Sequence, residues 1–197
     1  MGCSSSSAVA PGAAPGSAGT FKPRVVEYLK DEEKTVIETS WKALKELKLE
    51  NELGEQIFKK FFELDPEAIQ LFITFSDNDN MYESYAFKHH CEIFAFHIGL
   101  GVKHINDNAK LKAFLDQLGK LHDNIFQIRE NYGEEDKKNH SKMVEHFIIS
   151  ETALQMALKE VLKDKFTEDI GRSWQLFYKL MCDLLMNQVE VCNRPPQ

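Results

Sequence analysis

Phe87-Lys88-His89-His90-Cys91-Glu92-Ile93-Phe94-Ala95-Phe96-His97-Ile98-Gly99-Leu100-Gly101-Val102 is the stretch whose reading decides the fold. Phe87, Cys91, Phe94, Ala95, Ile98 and Val102 stand at offsets 0, 4, 7, 8, 11 and 15. That three-and-four spacing is one face of an α-helix, an inward stripe on a helix spanning about Met81 to Lys103. His90 flanks the stripe between Phe87 and Phe94. Turning His89 inward instead would rotate the helix by about 100° and displace Phe87 and Ile98, so His90 is the inward imidazole.

The same periodicity extends in both directions. Upstream, Val36, Ile37, Trp41 and Leu44 mark a helix from Asp31 to about Leu47, and Leu53, Ile57, Phe58, Phe61 and Phe62 mark one from about Asn51 to Asp65-Pro66. Pro66 suits the first residue of a short helix and keeps Asp65 out of α geometry, which makes a corner. Leu71, Phe72 and Phe75 follow, then a polar loop over 76–80. Downstream, Leu111, Leu115, Leu118 and His122 share a face of a helix over about 109–122. The charged stretch Asp123 to about His140, around Tyr132-Gly133, reads as a long loop or insertion. Helices over about 141–163 and 167–188 close the chain, the last carrying Ile170, Trp174, Phe177, Met181 and Leu184, with Thr167 and Glu168 at its start. The expected class is all-α, with residues 31–188 as one domain between a flexible tail (1–30) and a short C-terminal tail (189–197).

The 197 residues suffice for one substantial core. Of these, 43% are hydrophobic and 28% charged, with no apolar run long enough to span a bilayer. A net charge of −7 argues against a nucleic-acid partner, which needs a basic face. Cys3, Cys91, Cys182 and Cys192 form neither a CxxC pair nor a dense framework, which suits reduced thiols in the cytosol.

His122 and His90, 32 residues apart, follow Pro66 and Phe72 in an order that can hold a planar iron cofactor between two imidazoles. Together with Trp41, Gly54 four residues before Phe58, and Trp174, these positions resemble the globin family over about 31–188. Within it the chain is similar to the neuroglobin type and to the N-terminally acylated globin X and nematode types. The resemblance implies a globin fold, with helices crossing at roughly 50°, and a haem b cofactor (iron protoporphyrin IX). It implies His122 as proximal iron ligand, His90 as distal iron ligand and Phe72 as the aromatic wedge on the porphyrin. Phe58 and Phe94 would line the distal side, and Gly54 and Cys91 would let two helices cross closely. Without a cofactor, the phenylalanines read as ordinary core. His97 stands either at the haem edge or in solvent, while His104, His140 and His146 have no spacing that singles them out. Three departures from the family pattern are the extended connection after His122, Ile93 in place of a basic propionate partner, and Phe94 in place of a smaller aliphatic residue.

Met1-Gly2-Cys3-Ser4-Ser5-Ser6 fits the N-myristoylation pattern at Gly2, with Cys3 beside it for palmitate. Residues 1–20 carry no charge and are broken by Pro11 and Pro15, unlike a signal peptide. One myristoyl chain binds membranes only marginally, and Lys22, Arg24 and Lys30 are too few for a polybasic signal, so stable attachment would need Cys3. The expected function is reversible binding of oxygen, carbon monoxide or nitric oxide, for storage or sensing, at the cytosolic face of a membrane. The alternative is a bis-histidyl redox protein or enzyme (electron transfer, nitrite or nitric oxide chemistry) with a redox partner. A third class is a haem-free helical signalling module, which colour in the purified protein would exclude.

Overall fold

The structure is a computed structural model that describes residues 25–72, 74, 80–130 and 139–192, without the side chains of 123–130, 139–144 and 189–192. Gly2, Cys3, Phe75 and the centre of the expected insertion, 131–138, lie outside the described residues. The helices are α1 (Asp31–Glu46), α2 (Glu50–Leu64), α3 (Tyr85–Lys103), α4 (Asn108–Glu130), α5 (Asn139–Leu162) and α6 (Glu168–Cys192). Short 3-10 turns occupy Pro66–Leu71, Met81–Glu83 and Lys163–Lys165, and no strand occurs among the described residues. No helix among them is long and apolar enough to cross a membrane.

The stripes read from the sequence are the buried faces. Phe87, Cys91, Ala95, Ile98 and Val102 of α3 are buried, as are Ile37, Trp41 and Leu44 of α1 and Trp174, Phe177, Met181 and Leu184 of α6. Trp41 and Trp174 pack with ring centroids 5.9 Å apart. Trp174 donates its indole N–H to Ser40 Oγ at 2.8 Å, so this buried donor is paired within the apolar contact between α1 and α6. Two glycines set helix spacing. A Cβ on Gly54 would lie 2.5 Å from the Cys91 carbonyl oxygen, and one on Gly119 would lie 2.9 Å from the Leu185 carbonyl oxygen. Close crossings of α2 with α3 and of α4 with α6 therefore depend on the missing side chains.

Several boundaries differ from the sequence reading. Met81–Glu83 is a separate 3-10 turn, because Ser84 adopts extended geometry and its Oγ accepts the Phe87 N–H at 3.2 Å, capping α3. The loop expected from Asp123 is helical as far as Glu130, since the run 123–130 contains neither Gly nor Pro to stop α4. By the same logic α5 begins at Asn139, and α6 runs on to Cys192 into the expected C-terminal tail, with no proline before Pro195. The expected tail 1–30 is not free over its last residues: Leu29 is buried and Val26 packs on the core.

Candidate haem site

Every α-helix except α1 contributes to a cavity of about 310 Å³. Ile57, Phe58 and Phe61 of α2 form one wall with Leu71 and Phe72 of the corner and Thr74. His90 and Phe94 enter from α3, His122 from α4, His146, Phe147 and Ser150 from α5, and Tyr178 from α6. All five residues expected at the site from sequence (His122, His90, Phe72, Phe58 and Phe94) line this one cavity. A larger hollow of about 720 Å³ between α1 and α3 is rimmed by Lys42, Lys45, Lys103, Glu38, Glu50 and Glu92 and has no imidazole in its lining.

On the α3 side, aromatic rings hold His90. Its ring centroid is 5.0 Å from Phe58 and 5.0 Å from Phe72, both edge-on. Phe58 also meets Phe94 at 5.1 Å and Phe72 at 5.5 Å, so these rings form one interlocked set. The rival His89 is 51% exposed at its side chain and stacks on exposed Tyr85 at 5.5 Å. His97 is half-buried against Phe114 at 6.0 Å and is absent from the cavity lining. Burial lowers its pKa, with a smaller contribution from the charge of His122.

On the α4 side, His122 Nδ1–H donates to the Leu118 carbonyl at 2.8 Å, one turn earlier. A carbonyl only accepts, so Nδ1 carries the proton and, in the neutral ring, Nε2 carries the lone pair. Burial pushes the His122 pKa below the usual imidazole range, outweighing the opposite effect of the Leu118 bond. A neutral imidazole whose Nδ1–H is held by a backbone carbonyl is the form that binds a metal through Nε2.

Sequence reasoning passed over the α5–α6 wall. His146 Nδ1 is hydrogen-bonded to Asp65 Oδ2, joining α5 to the corner across 81 residues of sequence. Ser150 Oγ donates to the Phe147 carbonyl at 2.7 Å and pairs with Tyr178 Oη at 3.0 Å. The Ser150 proton is thus used, and Tyr178 is the donor of that second bond. No periodicity marks these residues, because each is polar at a position whose neighbours are core.

The chemistry of this lining fits a planar tetrapyrrole. No group of three or more His, Cys, Asp or Glu side chains that could hold a bare metal ion occurs among the described residues. Two imidazoles facing an apolar cavity suit an ion that brings its own in-plane donors. The family model for globins matches residues 55–185. Neuroglobin of Chaenocephalus aceratus is 25% identical over 159 residues, covering 79% of this chain and 89% of that protein. Neuroglobin of Dissostichus mawsoni is 24% identical over the same shares of the two chains. Among solved structures, a hexacoordinated haem protein from an anhydrobiotic tardigrade aligns with a TM-score of 0.67 at 18% identity, covering 82% of this chain and 96% of its own. The haemoglobin of the botfly Gasterophilus intestinalis aligns at 0.63 and 17%, covering 82% and 99%. With its helices, its paired imidazoles and a family match over most of its length, the chain belongs to the globin family and is a haem-binding protein.

Proposed function

We propose that the protein binds oxygen and other diatomic gases reversibly at haem b, which His122 would hold throughout and His90 would hold until a gas displaced it. The observation that carries this reading is the pairing of two imidazoles from α3 and α4 on one phenylalanine-walled cavity, with the His122 ring oriented by its Nδ1–H bond to the Leu118 carbonyl. Haem would supply an iron centre able to bind a diatomic gas and to change oxidation state. The chain's part is to hold that group and control access to it. His122 would anchor it, Phe72 would pack against it, and Phe58 and Phe94 would exclude water from the His90 side of the cavity. His90, gripped by Phe58 and Phe72, competes with the incoming gas. That grip, and the likeness to a hexacoordinated haem protein, support a second reading as a bis-histidyl redox protein acting with a partner protein on electrons, nitrite or nitric oxide. The tail motif at Gly2 and Cys3 supports attachment to the cytosolic face of a membrane by myristate and palmitate. An absorption spectrum of the gas-free ferrous protein tests the site: a six-coordinate haem spectrum is expected, and a colourless protein would overturn the reading. Oxygen affinity against nitrite turnover then separates the two uses.

A further inference from the structure

The cavity contains a third imidazole that neither axial role uses. His146 stands on its α5 wall, with Nδ1 tied to the Asp65 carboxylate. A carboxylate has no proton to give, so Nδ1–H donates, and in the neutral ring Nε2 carries the lone pair. Both side chains are shielded, at 15% and 12% exposure. Asp65 is held in place by the corner: it precedes Pro66, whose ring bars α geometry there, and it adopts φ −139° and ψ 80°. An imidazole oriented by a fixed acceptor, with its other nitrogen free, is the arrangement of a general base.

The other titratable groups around the cavity are committed elsewhere. Asp65 approaches from the corner, His90 from α3, His122 from α4 and Tyr178 from α6. In the bis-histidyl reading, on which this inference rests, His90 and His122 both give their lone pairs to iron. The Tyr178 hydroxyl donates to Ser150, and burial drives its pKa far up.

We propose that His146, positioned by Asp65, is the proton acceptor for weakly acidic ligands entering the haem cavity. The site then takes small protic molecules, such as hydrogen cyanide or hydrogen peroxide, as well as neutral diatomic gases. A ligand H–X enters uncharged. Its H–X bond breaks, the proton goes to His146 Nε2, and the bonding pair stays on X as the anion. The imidazolium formed is balanced by the carboxylate of Asp65, and no electron changes hands.

The test uses the haem-loaded protein in a His90→Leu background, which removes both the competing ligand and the rival base. Association of hydrogen cyanide with the ferric form is compared with association of carbon monoxide, which carries no proton, with the ferrous form. His146→Gln keeps an amide N–H for Asp65 but has no base, and the ratio of the two rate constants should fall about a hundredfold, within the usual reach of general-base assistance. Asp65→Asn should lower the same ratio, because an amide donating to Nδ1 moves the imidazole proton to Nε2 and removes the lone pair. Haem absorbance per chain verifies that each variant is folded and loaded. A ratio unchanged in His146→Gln overturns the proposal, as does loss of cyanide capture in His90→Leu alone, which would place the base on α3. A five-coordinate spectrum of the native ferrous protein would instead remove the bis-histidyl reading, and the ratio would still report on His146.

Discussion

At the scale of single residues, the two imidazoles are distinguished by what holds them. His122 is fixed by a backbone hydrogen bond that sets its tautomer, and His90 is packed edge-on between the Phe58 and Phe72 rings. A hydrogen-bonded imidazole keeps its orientation at low entropic cost, whereas one packed by ring edges can swing aside. His122→Ala should therefore lose most of its haem, read as Soret absorbance per mole of chain. Full loading with an unchanged spectrum would show that the iron ligand lies elsewhere. His90→Leu should keep its haem and turn a six-coordinate ferrous spectrum into a five-coordinate one. If His90 occupies the iron about 99% of the time, its removal should speed carbon monoxide association roughly a hundredfold. A native rate already as fast as the variant's would rule out His90 as a competing ligand.

At the scale of elements, the distance between α2 and α3 places Phe58 against His90, and Gly54 sets that distance. Helix propensity alone favours Gly54→Ala by about 0.8–1.0 kcal/mol. The new Cβ, however, meets the Cys91 carbonyl oxygen at 2.5 Å, and a backbone atom inside a helix cannot rotate away. Such overpacking costs about 1–3 kcal/mol and should win. Gly54→Ala should therefore lower the urea midpoint and hasten haem loss to a scavenging apoprotein as the ring set around His90 loosens. A midpoint equal to or above the native value would show that α2 and α3 separate freely. Similarly, α4 can continue past His122 because nothing in 123–130 breaks a helix, which carries its C-terminal end to Glu130.

At the scale of the whole molecule, the domain and the N-terminal motif are separable. Among the described residues Val26 and Leu29 fasten the chain to the core, and the Gly2-Cys3 motif stands more than twenty positions before them in sequence. Gly2→Ala should move the protein from the membrane to the soluble fraction, and Cys3→Ser should weaken attachment, since each buried methylene contributes about 0.8 kcal/mol. The haem spectra of both variants should match the native protein's. Gly2→Ala found at the membrane as fully as the native chain would defeat the anchoring proposal.

Helix class, the buried stripes and the choice of His90 over His89 follow from sequence alone, because periodicity is a local property: one turn of helix fixes which residues share a face. Trp41, Trp174, Phe87 and Phe177 are buried where that spacing puts them. The break at Ser84 depends on a single cap, and the reach of α4 and α6 on the absence of breakers, signals weaker than a stripe. The pairing of His146 with Asp65 and of Tyr178 with Ser150 joins residues 81 and 28 positions apart. No local pattern encodes such pairs. They exist because α5 lies across the corner and beside α6, and only the packed tertiary structure turns those polar side chains toward the cavity that His90 and His122 also line.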